Sequence, residues 1–182
     1  MKITKTNIDG LIIVEPQIFK DDRGSFFESW NVKKFKEIGI DDRFVQDNQS
    51  NSSKGILRGL HFQNPPYAQA KLVRVVRGSV LDVAVDLRSN SSTYGKHYSI
   101  VLSDKNFKSF YIPLGFAHGF VALEDNTIFS YKCSDMYNKE SEGCLLWNDQ
   151  DLGIDWNINN PIISQKDMQG LYFKDFKSKF ND

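Results

Sequence analysis

The sequence carries no excess of either charge: 23 Lys and Arg face 23 Asp and Glu, a formal net charge of zero over 182 residues. That balance removes any global electrostatic case for nucleic acid or an acidic membrane surface, so an anionic ligand must be held by local cations. Long apolar runs are missing as well. Nothing approaches the roughly 20 residues that span a bilayer, and the first residues lack an apolar stretch behind a basic start, so a cytoplasmic protein is expected. Cysteine is scarce: Cys133 and Cys144 are the only two, without a CxxC pair, and reduced thiols fit better than a disulfide or a zinc site. The three histidines, His61, His97 and His118, form no H-x-H pair, and the residue two beyond His61 is Gln63, a poor metal ligand. A catalytic metal needs three or four converging donors, so none is expected. No glycine-rich phosphate loop opens a helix and no dinucleotide fingerprint exists, so a bound nicotinamide is not suggested. No Ser or Cys sits in a nucleophile turn.

What is present is a series of short extended runs. At this length one domain with a real core is expected over residues 1–182, and no repeat or boundary divides it. Leu81, Val83, Val85 and Leu87 alternate strictly within 80–87, the best strand signature in the chain. Similar runs cover 11–14, 70–76, 97–102, 107–112, 120–123, 127–133 and 144–147, separated by turn residues. Asn31 caps a helix of about two turns that places Val32, Phe35 and Ile38 on one side before Gly39 ends it. A weakly helical tail begins at Ser164-Gln165-Lys166-Asp167. About ten strands with turn signals between them predict an all-β sandwich or barrel, with one short N-terminal helix and short C-terminal helical segments.

Three stretches carry unusual chemistry. Leu57-Arg58-Gly59-Leu60-His61-Phe62-Gln63 puts a guanidinium and an imidazole three residues apart, so a regular strand would point them to opposite faces. Gly59 between them permits a bulge that could turn both toward one cavity. In isolation Arg58-Gly59-Leu60-His61 reads as a core strand with one satisfied histidine and a surface arginine. Phe44 to Ser50 is dense in amides and hydroxyls, either a polar loop or a strand lining a polar cavity. Pro113-Leu114-Gly115-Phe116-Ala117-His118-Gly119-Phe120 delivers His118 between glycines, at the start of the 120–123 strand, where it either fills a corner or faces a ligand.

In order along the chain, Asp22-Arg23-Gly24-Ser25-Phe26-Phe27-Glu28, Phe44-Val45-Gln46-Asp47-Asn48, the 57–63 stretch, Lys71-Leu72-Val73, 112–120 and Trp147-Asn148-Asp149 together resemble the dTDP-4-dehydrorhamnose 3,5-epimerase family. The resemblance covers nearly the whole chain. It implies a cupin-type jelly-roll barrel, a homodimer, no metal and no cofactor. The activity it implies is conversion of dTDP-4-dehydro-6-deoxy-D-glucose to dTDP-4-dehydro-L-rhamnose, for dTDP-L-rhamnose and polysaccharide biosynthesis. C3 and C5 flank a C4 ketone, so each can lose a proton to an enolate and regain one from the opposite face. His61 suits the base, since imidazole titrates near working pH. By resemblance Asp167 orients it, Tyr131 is the acid on the far face, and Lys71, remaining charged, is the donor to the enolate oxygen.

The same resemblance assigns substrate contacts. Arg58, Arg23, His118 and Lys166 would meet the diphosphate or sugar, Gln46 and Asn48 would offer amides, and Glu28 and Glu142 would accept from ribose or base. Tyr137 would stack on thymine, while Arg23 and Phe26 would reach the neighbouring subunit's site. Gln49 and Met136 depart from the family, which often has His and Tyr there. Three alternatives stay open on the sequence: a single-centre epimerase or ketoisomerase on a related nucleotide-linked 4-keto sugar, a non-catalytic sugar-nucleotide-binding barrel, and a metal-dependent cupin oxygenase.

Overall fold

Extended runs separated by turn residues become strands in the structure, a computed structural model that describes residues 1–181. In chain order they are β1 (Lys2–Lys5), β2 (Ile12–Glu15), β3 (Phe19–Asp21), β4 (Gly24–Phe26), β5 (Gln46–Ser52), β6 (Ile56–Gln63), β7 (Lys71–Arg77) and β8 (Ser79–Asp86). There follow β9 (His97–Ser103), β10 (Ser109–Ile112), β11 (Phe116–Ala122), β12 (Thr127–Cys133), β13 (Glu142–Cys144) and β14 (Ile162–Ile163). Helices are α1 (Val32–Glu37), α2 (Gln165–Met168) and a 3₁₀ turn at Phe173–Asp175. One sheet runs β1-β2-β10-β7-β12-β5; the other runs β13-β6-β11-β8-β9, with β14 added parallel to β6. The β3–β4 hairpin stands apart. The fold is an all-β, cupin-like jelly roll.

Alternation explains why this architecture holds three apolar layers. Val73 and Val75 of one sheet meet Val80, Ala84, Phe116 and Phe120 of the other around Phe110 and Phe129, filling the barrel. The opposite positions of β8, Leu81, Val83 and Val85, point outward and are covered by Leu145, Leu152, Trp156, Phe176 and Phe180. On the other sheet Ile12, Val14 and Leu72 are covered by Phe35 and Ile40. Each such side chain contributes roughly 1.5–3 kcal/mol on burial. The polar positions alternating with the outward face of β8 are therefore not at the surface. Asp82 and Asp86 are both fully buried, and each has a cationic or imidazole partner, Arg88 for Asp86 and His118 for Asp82.

The structure corrects several local expectations. Asn31 does cap α1, accepting from the backbone N–H of Lys33 and Lys34, yet Phe35 alone is buried and Val32 lies exposed, because six residues present only one turn to the sheet. His118 sits in the middle of β11 rather than ahead of a strand. Gly119 is there for close approach: a Cβ on it would lie 2.8 Å from the Arg58 carbonyl oxygen. The last expected strand, 144–147, is shifted to β13.

Candidate active site

The bulge allowed by Gly59 exists. Between β6 and β11, His61 pairs with His118 but Arg58 pairs with Phe120, so three steps of β6 oppose two of β11. The consequence is visible in the packing: Leu57, Leu60 and Phe62 all join the outward apolar layer, leaving Arg58 and His61 on the inner face. Only glycine fits at the bulge. Its φ is +128°, and a Cβ would lie 2.5 Å from the Gly119 Cα and 2.9 Å from the His118 carbonyl oxygen.

His61 Nε2 lies 2.7 Å from Asp167 Oδ1. The other carboxylate oxygen accepts from the Gly59 N–H at 3.2 Å, so the bulge and the histidine are held by one group. Asp167 is fixed in turn by the start of α2, its N–H donating to the Ser164 capping hydroxyl at 3.1 Å. Burial by itself would raise the Asp167 carboxyl, but the bonds from His61, Gly59 and Ser164 hold it below the ordinary carboxylate range. It remains ionised and fixes which nitrogen of His61 points away from it.

His61 lines a cleft of about 140 Å³ together with Gln46, Asn48, Lys71, Tyr131, Tyr137 and Glu142. On its other side it lines an adjoining groove with Arg58, Ser164, Lys166 and Asp167. Tyr131 projects from the facing sheet. Burial raises its phenol above the ordinary value, with the Arg58 charge opposing, so the hydroxyl keeps its proton. Lys71 is buried at the cleft floor beside its cross-strand neighbour Cys133, and it makes no ion pair among the described residues. Burial lowers its ammonium pKa, while the surrounding Cys133, Asp82 and Glu142 pull the other way. At the rim Glu142 bonds Lys166 Nζ at 2.5 Å and the Tyr137 hydroxyl at 3.1 Å.

Three of the residues expected at the site lie elsewhere in this chain. Arg23 and Phe26 are on the exposed β3–β4 hairpin, where Arg23 is clamped to Asp21. Glu28 pairs with Lys34 beside α1. His118 is on the inner face opposite His61, 5% exposed, with its Nε2 bonded to Asp82.

Sequence reasoning also missed three contributors. Gln63 holds the loop that carries Tyr137, donating to the carbonyls of Tyr67 and Met136 and accepting from the Asn138 N–H. Gln69 lines the cleft. Cys144 sits against the His61–Asp167 pair, and the potential ligand atoms of this trio lie within 4.8 Å of one another. Burial and the nearby Asp167 charge push the Cys144 thiol up to about 12, so it is no thiolate ligand at neutral pH. The remaining two atoms are engaged with each other.

Comparison with known proteins gives a consistent result. A family model described as dTDP-4-dehydrorhamnose 3,5-epimerase matches residues 5–175. The chain is 52% identical over 169 residues to a Methanothermobacter thermautotrophicus protein of that name, covering 91% of each. A crystal structure of the Elizabethkingia anophelis enzyme of the same name is 54% identical, with a TM-score of 0.92 over 96% of this chain and 97% of that one. A Legionella pneumophila 3,5-epimerase crystallised with dTDP-4-keto-L-rhamnose is 46% identical, with a TM-score of 0.93 over 97% and 94%.

Proposed function

Since the chain belongs to the dTDP-4-dehydrorhamnose 3,5-epimerase family, we propose that it converts dTDP-4-dehydro-6-deoxy-D-glucose to dTDP-4-dehydro-L-rhamnose, with the residues of the His61 cleft doing the chemistry. His61, oriented by Asp167, removes the proton beside the C4 ketone. Tyr131, across the cleft, returns one from the opposite face. The juxtaposition that carries this reading is a carboxylate-fixed imidazole and a protonated phenol sharing one cleft with a lysine that has no ion pair among the described residues.

General acid–base transfer supplies roughly 10²–10⁴-fold, so it cannot account for removing a carbon-bound proton unaided. The larger contribution falls to Lys71. Its ammonium is buried without an ion-pair partner among the described residues, where a fixed donor to the enolate oxygen is worth about 10²–10³ in rate. Both proton transfers use groups of the chain itself, so the reaction as proposed runs without metal or cofactor.

Arg58 and Lys166 flank the groove and suit the diphosphate, the guanidinium through paired bonds. Gln46 and Asn48 contact the nucleotide, Tyr137 stacks on thymine, and Glu142 presents Tyr137 and Lys166. Arg23 and Phe26 act on a neighbouring copy in a homodimer. The support is their position, since a hairpin exposing a 71% accessible Phe26 lies away from its own cleft. A cytoplasmic, single-domain enzyme fits the lack of a helix long and apolar enough to cross a membrane among the described residues.

The test is turnover of the thymidine-linked ketosugar in D₂O. Deuterium at both C3 and C5 is expected. Label at one carbon would make this a single-centre epimerase, and label at neither would leave a binding protein.

A further inference from the structure

Beneath the cleft lies a second histidine–carboxylate pair that the proton transfers leave unused. His118 Nε2 is 2.9 Å from Asp82 Oδ2 and 3.1 Å from Oδ1. Asp82 is wholly buried in β8, between Val80 and Ala84 of the barrel filling. A buried pair of this kind adds little to stability, since apolar replacements of similar volume are often neutral or better. Its consequence is orientational.

Three observations say what it orients. His118 and His61 are directly opposed across β11 and β6, so both rings project from the inner face. The His118 ring lies nearly parallel to Phe129, 19° between planes at 6.1 Å, which fixes its tilt. Its Nδ1 has no hydrogen-bond partner among the described residues, yet the one buried side-chain nitrogen or oxygen recorded there without a partner is Ser50 Oγ. Nδ1 therefore keeps some exposure, on the same face as the His61 ring that lines the cleft.

The charged and titratable groups facing this ring are Asp82, Lys71 and His61. Burial, with Lys71 and His61 adding to it, outweighs Asp82 and keeps the imidazole pKa below its ordinary value. A neutral ring that donates Nε2–H to a carboxylate has a bare lone pair on Nδ1.

We propose that Asp82 is a positioning residue of the epimerase site: it fixes His118 as the Nε2–H tautomer, leaving Nδ1 to accept from a hydroxyl of the bound sugar. This rests on the function proposed above. An acceptor at that place rejects the ketone oxygen, which has no proton to give, and leaves it to Lys71, the cationic donor on the opposite sheet. Asp82 thereby helps decide which way round the ketosugar lies.

The tautomer is measured directly by ¹⁵N NMR of histidine-labelled wild-type protein, with His61→Gln and His97→Gln spectra isolating the His118 signals. The expected pattern is a protonated Nε2 and a bare Nδ1. A protonated Nδ1 at neutral pH overturns the proposal, whatever the activity. Asp82→Asn removes the charge that selects the tautomer and should lower kcat by roughly 10–10²-fold with KM little changed. Asp82→Glu should recover part of that loss. Wild-type kcat and KM in Asp82→Asn would also overturn it. An inactive wild-type protein with the expected tautomer would instead count against the epimerase reading alone.

Discussion

Gly59→Ala is the substitution that most directly joins backbone geometry to catalysis. The added Cβ would stand 2.5 Å from the Gly119 Cα, 2.9 Å from the His118 carbonyl oxygen and 3.3 Å from the Gly119 nitrogen. All three are backbone atoms of the paired strand, so no side chain can swing aside. Holding alanine at φ +128° costs about 1–3 kcal/mol, and forcing β6 from β11 costs about 1–3 kcal/mol more. For a domain of this size that corresponds to a fall in Tm of roughly 5–20 °C.

The rate should fall further than stability explains. Gly59 N–H donates to the carboxylate that orients His61, so moving the bulge moves the base, and a 1 Å displacement costs about 10²-fold. Gly39→Ala is the control. That glycine also has a positive φ, but no atom lies within 4 Å of its would-be Cβ. It should lose only the backbone preference, about 1–2 kcal/mol, and keep its activity. The assays are scanning calorimetry and solvent-deuterium exchange into the ketosugar. A Gly59→Ala protein melting within about 2 °C of wild type and exchanging at an undiminished rate would refute the account of the bulge.

Asp167→Asn should slow exchange at both carbons by roughly 10³–10⁴-fold, because an amide can satisfy either the Gly59 N–H or the imidazole in the required tautomer, not both. The Asp167 carboxyl is held below its unfolded value, so its stabilisation is complete above about pH 4 and disappears as pH falls through the folded value. The stability gap between wild type and Asp167→Asn should therefore narrow on acidification, as denaturant titrations at several pH values would reveal. Tyr131→Phe should retain deuterium loss or gain while losing inversion; full epimerisation without the hydroxyl would remove it as the acid. Mixing inactive His61→Ala and Arg23→Ala proteins should restore activity, since a mixed dimer would contain one site with His61 from one copy and Arg23 from the other. Lack of rescue despite subunit exchange would count against Arg23 acting across the interface.

Local chemistry carried a large part of this molecule in plain view. Alternation in 80–87 and the Asn31 cap are decided within a few residues, and they are recovered as β8 and α1. The possibility of a bulge was likewise legible at Gly59, because glycine between two functional side chains removes the steric reason for them to diverge. The ordered motifs, spread over most of the chain, identified the family before any coordinate was known. What alternation could not tell was whether a polar position faces water. Asp82 sits in the same pattern as a solvent-facing residue, yet the barrel closes over it.

Only the folded chain decided partnerships between distant residues. Asp167 meets His61 across 106 positions of sequence because β14 runs beside β6 and turns directly into α2. His118 is paired with Asp82 because it lies opposite His61 with β8 on its other side. Lys71 and Tyr131 join the site from a different sheet. The sequence by itself determined which segments extend, where they turn and which chemistry they carry. The closing of two sheets over one interior determined which of those groups are dry, which are paired and which remain free to meet a substrate. Burial and charge pairing depend on neighbours far along the chain, and no local pattern records them.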